Sequence, residues 1–349
     1  MQVGIQFFPD VGPDVKSARD YWNEALSLVA LCDRYGYSHV RTVEHYFDAY
    51  GGYSPNPVVF LAAAAQVTKS ARLVTGAVLP AFNNPLKLAG ELAMLDALCD
   101  GRLDIGFARA FLPHEFARFG VKLDESRARF DEGLEQVRQL LELENVTSEG
   151  RFHSFRNVTS LPRPTQQPRP PFYIAALATK ESFERAGAAG HGVMAIPMAG
   201  GAMAELIQGY RTAWQRAGHP GRGTVMLAFH MFCHPEQAAA ERIARQPLNR
   251  YLRSLLAAAS TWMEGAGSVD YPNYDKIIGA LAREDFDSQV AKCAAWVGTP
   301  QRILDMVSRY RQQIGDFEIA SLQVNFNDIS LADAQASMRL FGEQVLPRL

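Results

Sequence analysis

The sequence predicts an α/β protein of the (β/α)₈ TIM-barrel class, built as a single domain over residues 1–349. Short runs rich in β-branched residues alternate with longer segments of helical period, which is typical of parallel strands joined by crossover helices. Eight strand–helix units follow one another without a change in composition, and 349 residues is an ordinary length for such a barrel. A doubly wound open sheet is the alternative, but it requires a point where the strand order reverses, and none is evident.

The predicted elements can be placed in order along the chain. The eight strands are expected at residues 3–7, 39–43, 72–79, 103–108, 172–176, 193–197, 224–233 and 321–325. The helices are expected at 15–35, 58–68, 85–99, 127–143, 180–189, 203–217, from 235 onward and at 331–346, where apolar residues recur at helical spacing. Two insertions are predicted. Residues 149–171 follow the fourth helix and are rich in proline, and residues 265–285 form either a mobile lid or a surface insertion.

Composition excludes several classes of partner. Apolar residues make up 48% of the chain and charged residues 21%, which is enough for a large core. Lys and Arg number 35 against 37 Asp and Glu, without a basic block, so we expect no nucleic-acid partner. No apolar window is long enough to span a bilayer, and no signal-peptide pattern opens the chain. Four scattered cysteines without a CxxC pair fit a cytoplasmic protein.

In a barrel of this kind the active site lies at the carboxyl ends of the strands. Arg109 ends an otherwise apolar strand, Arg127 opens the following helix, and residues 176–179 precede another helix. Helix N-termini favour phosphate, so these residues could clamp a phosphomonoester. Surface salt bridges to Glu115 and Glu125 are the equally weighted alternative.

Histidines also follow the strands. His45 could act as a general acid or base, bind a metal or simply form a hydrogen bond in its loop. His230 and His234 lie close in sequence, but no further ligands complete a set, so we expect no metal. Neither GxGxxG, GxxxxGK[ST] nor GxSxG is present, which argues against a Rossmann site, a P-loop and a hydrolase nucleophile.

Several stretches resemble the bacterial luciferase-like flavin monooxygenases, especially the luciferase α-subunit type. They keep the order and spacing of that family across nearly the whole chain: Thr42–Phe47 (TVEHYF), Val78–Pro80, Leu95–Arg102, Gly106–Arg109, Glu115–Gly120, Ser126–Arg127, Val297–Pro300 and Ala336–Pro347. The resemblance implies a (β/α)₈ barrel that uses O₂ and reduced FMN (FMNH₂), supplied by a separate flavin reductase. It also implies a flavin C4a-peroxide as the oxidant of a small organic substrate.

The resemblance also assigns roles by position. His45 is similar to the catalytic histidine of the family, and Thr75-Gly76 falls where the family has a non-proline cis peptide under the flavin. The residues expected to bind the cofactor are Glu44, Thr75, Gly76, Arg109, Arg127, Ala176, Ala178 and Thr179. The residues expected to face the substrate are Tyr46, Phe82, Phe111, Leu112 and His230, although the apolar ones could equally be core residues.

The chain departs from the luciferases at Ala108, Leu177 and Pro197, and this favours a non-luminous member over one that acts on long-chain aldehydes. A deazaflavin-dependent oxidoreductase of the same superfamily and a non-catalytic luciferase-like subunit are the rival interpretations. In the family the face formed by the helices after strands two and three makes the dimer. These helices are rich in Ala here (62–65 and 88–98), so a homodimer is expected.

Overall fold

The computed structural model describes residues 1–177 and 179–349. The strands in these ranges are β1 (Gln2–Phe7), β2 (His39–Thr42), β3 (Arg72–Val78), β4 (Leu103–Phe107), β5 (Val146–Glu149), β6 (Ser154–Val158), β7 (Phe172–Ala175), β8 (Gly192–Ala195), β9 (Val225–Cys233), β10 (Ala295–Gly298) and β11 (Ile319–Gln323). Eight of them form a closed parallel barrel in the order β1-β2-β3-β4-β7-β8-β9-β11. The ring closes because β9 pairs with β8, and β11 pairs with both β9 and β1. The predicted barrel class is confirmed.

Helices surround the barrel. They are α1 (Ala18–Val29), α2 (Cys32–Tyr35), α3 (Pro57–Val67), α4 (Pro85–Leu98), α5 (Pro113–Arg118), α6 (Ser126–Glu142), α7 (Lys180–Ala188), α8 (Gly200–Arg216), α9 (Gln237–Ala258), α10 (Ser260–Met263), α11 (Tyr274–Leu281), α12 (Phe286–Ala291), α13 (Pro300–Ile314) and α14 (Leu331–Gln344). No helix within the described ranges is both long and apolar enough to cross a membrane.

Sequence chemistry explains where α3 and α4 begin. Asn56 and Asn84 each precede a proline, and each side chain accepts a hydrogen bond from a backbone N–H in the first turn. An Asn cap followed by Pro at the first helical position suits a helix start, because proline lacks the N–H that would otherwise be unpaired. These two helices follow β2 and β3. Because β2 and β3 are parallel, their carboxyl ends lie at the same end of the barrel.

The interior of the barrel is divided into two levels. At one level a small apolar cluster of Val74, Tyr173, Met194, Met226 and Ile319 fills the space between the strands. Nearer the carboxyl ends of the strands, the interior opens into a cavity. The apolar cluster therefore forms a packed base beneath the functional end of the barrel.

The two predicted insertions have different structures. The first contains the antiparallel hairpin of β5 and β6, which lies outside the barrel sheet. The second, residues 265–285, contains α11 and buries Tyr271, Tyr274 and Ile278. It therefore packs onto the barrel instead of standing free at the surface.

Some details differ from the prediction. The helix expected at 15–35 is divided, since α1 ends at Val29 and α2 begins at Cys32. Helix α13 and strand β10 are not in the predicted set, although α13 has a clear apolar stripe and a capping Thr299 whose side chain accepts a hydrogen bond from the N–H of Arg302. Strand β10 pairs with β9 beside the barrel ring.

Candidate active site

A cavity of about 250 Å³ lies at the carboxyl ends of the barrel strands. Its walls come from the strand ends, from the loops that follow β2, β4 and β7, and from α9 and α11. Tyr251 and Leu255 of α9 and Tyr274 and Ile278 of α11 give the cavity an apolar side. A site in this position is the one expected for a (β/α)₈ barrel.

His45 follows β2 and lines this cavity. Its Nδ1 lies 3.0 Å from Oε1 of Glu115, a carboxylate on α5 with no exposed surface. The same oxygen accepts a hydrogen bond from the backbone N–H of Tyr46 at 2.8 Å. An acceptor at Nδ1 fixes the ring and favours the tautomer that carries its proton there. Nε2 is then the ring nitrogen free to exchange a proton with a molecule in the cavity.

Glu44 also lines the cavity and is held by three donors. It accepts hydrogen bonds from the hydroxyl of Tyr46 at 2.6 Å, the backbone N–H of Leu79 at 3.1 Å and the side chain of Asn83 at 2.9 Å. Burial outweighs these bonds and raises the pKa of Glu44 to about 7. Glu44 therefore ties the end of β2 to the loop after β3 and changes charge near neutral pH.

A second cavity of about 100 Å³ adjoins the first and shares Arg109, Ala175 and Ser182 with it. Arg127 and Arg185 line this smaller space, which we call the phosphate end. Arg109 and Arg127 lie near the N-terminus of a nine-residue helix, α7, and form a site suited to a dianion, whereas Arg185 lies in the last turn of α7 and pairs with Asp131 at 2.8 Å. Thr179 precedes α7, and its hydroxyl donates to that of Ser182 at 2.7 Å, which leaves the Ser182 hydroxyl as a neutral donor at this end.

The arginines at the phosphate end do not form the salt bridges proposed as the alternative. Arg109 donates to the backbone oxygen of Asp270 at 2.8 Å and lies over the ring of Tyr271 at 4.7 Å. Arg127 lies 3.6 Å from Glu181, a largely exposed carboxylate. The alternative, in which these arginines pair with Glu115 and Glu125, does not hold, because Glu115 bonds to His45 and Glu125 pairs with Arg129 and Arg151.

Asp270 connects the second insertion to this end of the site. Its carboxylate accepts from the hydroxyl of Ser126 at 3.1 Å and from the backbone N–H of Arg127 at 2.9 Å. The insertion therefore caps the N-terminus of α6, since Glu125 at the capping position makes no side-chain cap. A negative charge thus lies next to the guanidinium groups of the phosphate end.

The structure brings most of the predicted site residues together. Those that line the main cavity are Glu44, His45, Gly76, Arg109, Phe111, Ala176, Thr179 and His230. Arg127 lines the phosphate end. Ala178 lies outside the described residues. The non-proline cis bond is Gly76–Ala77, one residue later than the predicted Thr75-Gly76.

Four predicted residues do not line the cavity. Thr75 is fully buried between strands, where its hydroxyl donates to the backbone oxygen of Gly106 at 3.0 Å. Tyr46 and Phe82 both pack against Phe119, with ring centroids 4.8 Å and 4.6 Å apart. Leu112 is buried in the core.

Sequence reasoning did not assign Glu115, Arg41 and the walls from α9 and α11 to the site. The sequence suggests Glu115 only as a salt-bridge partner of an arginine, and its separation of 70 residues from His45 gives no sign of their contact. Within residues 1–177 and 179–349, no group of three or more His, Cys, Asp or Glu side chains could hold a metal ion.

Comparison with known proteins identifies the family. The sequence profile of the luciferase-like monooxygenases matches residues 1–316. The chain belongs to this family. A curated relative, the oxygenase component of the flavin-dependent trigonelline monooxygenase of Acinetobacter baylyi, is 32% identical over 237 residues, which are 67% of this chain. The match spans 65% of that relative's length, and the matches to the next two curated relatives span 51% and 50%.

Solved structures of this luciferase-like family agree with the fold. Monooxygenase RslO1 of Streptomyces bottropensis has a TM-score of 0.90 and 44% identity, with 100% of this chain and 99% of that chain covered. The oxygenating constituent of 3,6-diketocamphane monooxygenase of Pseudomonas putida, solved with FMN, has a TM-score of 0.83 and 20% identity, with 100% and 99% covered. At that identity the second likeness concerns the fold alone.

Proposed function

We propose that this luciferase-like protein is a flavin-dependent monooxygenase that takes reduced FMN and O₂ and oxidises a small organic substrate. The observation that carries the proposal is one continuous site in which His45, oriented by Glu115, lies in the cavity that adjoins the arginine-lined phosphate end. Both the trigonelline monooxygenase component and RslO1 are named as monooxygenases, which supports this class of reaction.

The donor set fits FMN. Arg109 and Arg127 would hold the phosphate, together with the hydroxyls of Thr179 and Ser182 and the N–H groups at the start of α7. Ala176 and Gly76 would leave room for the ring system because they present little or no side chain to the cavity. When bound, the reduced flavin supplies the electrons and activates dioxygen.

His45 would handle the protons of the reaction. With Nδ1 engaged by Glu115, Nε2 would give a proton to, or take one from, a reacting oxygen in the cavity. The negative carboxylate of Glu115 would favour the imidazolium that forms when His45 takes up a proton. Glu115 is thus a positioning residue for His45.

The apolar wall would exclude water. Phe8 and Phe111 lie near the ring of His45, with centroids at 5.4 Å and 6.0 Å. Together with Leu255 and Ile278 they enclose the reacting end of the cavity. Dry surroundings prevent loss of reactive oxygen species to bulk water and strengthen the electrostatic effect of each fixed donor.

Two partners belong to the proposal. A separate flavin reductase would deliver the reduced cofactor, as the words "oxygenase component" in the name of the trigonelline relative suggest for that system. A second copy of the chain would cover the apolar outer faces of α3 and α4, where Val59 is 68% exposed and Met94 is 56% exposed. Sedimentation of wild type and Met94→Glu tests the dimer, because a charge on this face should produce monomers.

Oxygen uptake with isotopically heavy dioxygen tests the reaction. The protein, free FMN and an unrelated flavin reductase with NADH would be incubated with a panel of ketones, aldehydes and aromatic metabolites, and products would be analysed by mass spectrometry. We expect one heavy oxygen atom in a product, and Arg109→Met should lose this product at low FMN. Absence of FMN binding would contradict the proposal, and so would reduction of the deazaflavin F420 by an alcohol without oxygen uptake.

A further inference from the structure

Four polar side chains lie at one level on four neighbouring strands of the barrel. The strand register pairs His230 of β9 with Gln323 of β11, Gln323 with Gln6 of β1, and Gln6 with Arg41 of β2. All four line the main cavity. We call them the inner row. Deeper in the barrel, polar side chains bond to one another, as His39 does to Ser321 at 2.9 Å, whereas the inner row faces the open cavity, where a ligand could bond to it.

Arg41 is the charged member of the inner row. Its guanidinium donates to the side-chain oxygen of Gln6 and, at 3.0 Å, to the backbone oxygen of Gly76. Its contacts in the described residues include no carboxylate. Although Arg41 lies deep in the protein, its side chain keeps some exposed surface, which faces the cavity. A buried cation without a counter-ion is costly, and a bound anion would offset that cost.

Within the part of the chain that the structure describes, two further members have buried polar atoms without a hydrogen-bond partner. These are Nε2 of His230 and the side-chain oxygen of Gln323, and Nε of Arg41 is also without a partner. The ring of His230 packs edge-on against Tyr251 and Phe326. Burial lowers the pKa of His230 to about 3, so this imidazole is neutral, and its half-buried ring lines the cavity.

The inner row lies across the barrel from the phosphate end. The row spans β9, β11, β1 and β2, whereas Arg109 follows β4, and Ala175, which also lines the phosphate end, belongs to β7. In the ring of eight strands, β4 and β7 stand opposite β11 and β1. One cofactor phosphate therefore cannot neutralise both cationic groups.

We propose that the inner row binds the substrate through a delocalised oxygen anion, either a carboxylate or an ionised phenol, held by Arg41 with His230 and Gln323 beside it. The inference rests on the proposed function only in calling this ligand the substrate. Arg41 would bind the anion by charge-assisted hydrogen bonds, and the neutral, half-buried His230 would bond to a second polar group of the same molecule. Gln323 is fully buried and donates to the backbone oxygen of Phe8 at 3.1 Å, so it would support the row from behind.

Binding to the flavin-free protein tests the charge requirement without any turnover. Calorimetry would compare naphthoate with naphthamide, and para-nitrophenolate with para-nitroanisole, since each pair has similar shape and differs in charge. We expect at least one anion to bind about tenfold or more tightly than its neutral partner. The pair that shows the preference identifies the anion as carboxylate or phenolate. Equal binding within both pairs would overturn the proposal.

Variants at the two ends of the cavity separate substrate from cofactor. Arg41→Met should weaken binding of the preferred anion about tenfold or more and change the affinity for oxidised and reduced FMN less than twofold. Arg109→Met should show the reverse pattern. If circular dichroism shows that Arg41→Met does not fold, Arg41→Gln serves the same comparison. Selective loss of reduced FMN by the Arg41 variant, with anion binding intact, would assign Arg41 to the flavin and overturn the proposal.

The outcomes also distinguish this inference from the proposed function. A protein that binds FMN but prefers no anion would retain the monooxygenase proposal and lose the inner-row assignment. A protein that prefers the anion but fails to bind FMN would retain the anion site and contradict the monooxygenase proposal.

Discussion

Arg109 and Arg41 face the same cavity from different depths. Arg109 lies in the loop after β4 and contacts the backbone of Asp270 and the ring of Tyr271, both in the second insertion. Arg41 lies within β2, where Gln6 and the backbone of Gly76 hold it. We call Arg109 the mouth cation and Arg41 the inner cation. Groups from loops surround the mouth cation, whereas neighbouring strands hold the inner cation.

We therefore expect Arg109 to adapt to its ligand and Arg41 to bind its ligand in a fixed geometry. Loop contacts at Arg109 can rearrange when a phosphate arrives, since its partners are a carbonyl and an aromatic face. Arg41 sits on a strand of a closed sheet and has little freedom to move, so the ligand must fit the row. We therefore expect the mouth to set cofactor affinity and the inner row to set substrate choice.

The largest effect should follow from His45, which lines the same cavity as both arginines. His45→Ala should slow turnover of the best panel substrate by about 10²-fold or more, because proton transfer loses its acid or base. FMN affinity should change less than twofold. Glu115→Gln keeps the shape but removes the charge, so we expect a smaller loss together with a displaced pH–rate profile. Unchanged turnover in His45→Ala would remove the catalytic assignment.

Loss of the mouth cation should be the next largest effect. Arg109→Ala should weaken FMN binding by about 2–4 kcal/mol, since a charge-assisted phosphate contact is lost. Quenching of flavin fluorescence on titration measures this directly. A matched Arg41→Met protein should bind FMN as wild type does. An equal loss of FMN affinity in both variants would contradict the assignment of different ligands to Arg109 and Arg41.

Protonation should also distinguish Glu44 from the inner row. Glu44 changes charge near pH 7, whereas His230 stays uncharged at that pH. The pKa of Glu44 is raised from 4.5 to about 7, so the folded protein retains a proton that the unfolded chain has lost. Stability therefore falls as pH rises between these values. Between about pH 5 and pH 8, wild type should lose about 2 kcal/mol of unfolding free energy relative to Glu44→Gln. Urea unfolding at both pH values measures the difference, and parallel curves would contradict it.

The smallest effect concerns the charge that Asp270 brings to the phosphate end. Asp270→Asn keeps a side-chain acceptor for Ser126 and Arg127 but removes a negative charge beside the phosphate site. FMN should then bind about two- to fivefold more tightly. Asp275→Asn, an exposed position in the same segment, is the matched control and should have no effect. Weaker FMN binding in Asp270→Asn would show that its charge supports the site.

The barrel could be predicted because its signals are local. Each strand is a short apolar run that ends at a polar or small residue, and each helix carries its own period. The positions of His45 and Arg109 follow from the same logic, since both lie in the loop that follows a strand. Helix α13 could have been found in this way from Ile303, Met306 and Tyr310.

The remaining parts of the site depend on contacts distant in sequence. The bond between His45 and Glu115 joins residues 70 apart, and a helical Glu gives no local sign of burial. The inner row depends on strand register, which sequence alone does not give. Tyr46 and Phe82 illustrate the converse, because they follow strands but turn toward Phe119 outside the cavity.

The short stretch from Arg109 to Glu115 supplies both the guanidinium at the phosphate end and the carboxylate beside His45. A lineage that reshapes this stretch to admit a bulkier metabolite therefore alters cofactor retention and imidazole alignment in one evolutionary step. Helix α11 offers a freer route, because Ile278 and Leu281 face the same cavity through apolar side chains that take no part in either task. Engineering of the substrate range should therefore begin with substitutions at Ile278 and Leu281.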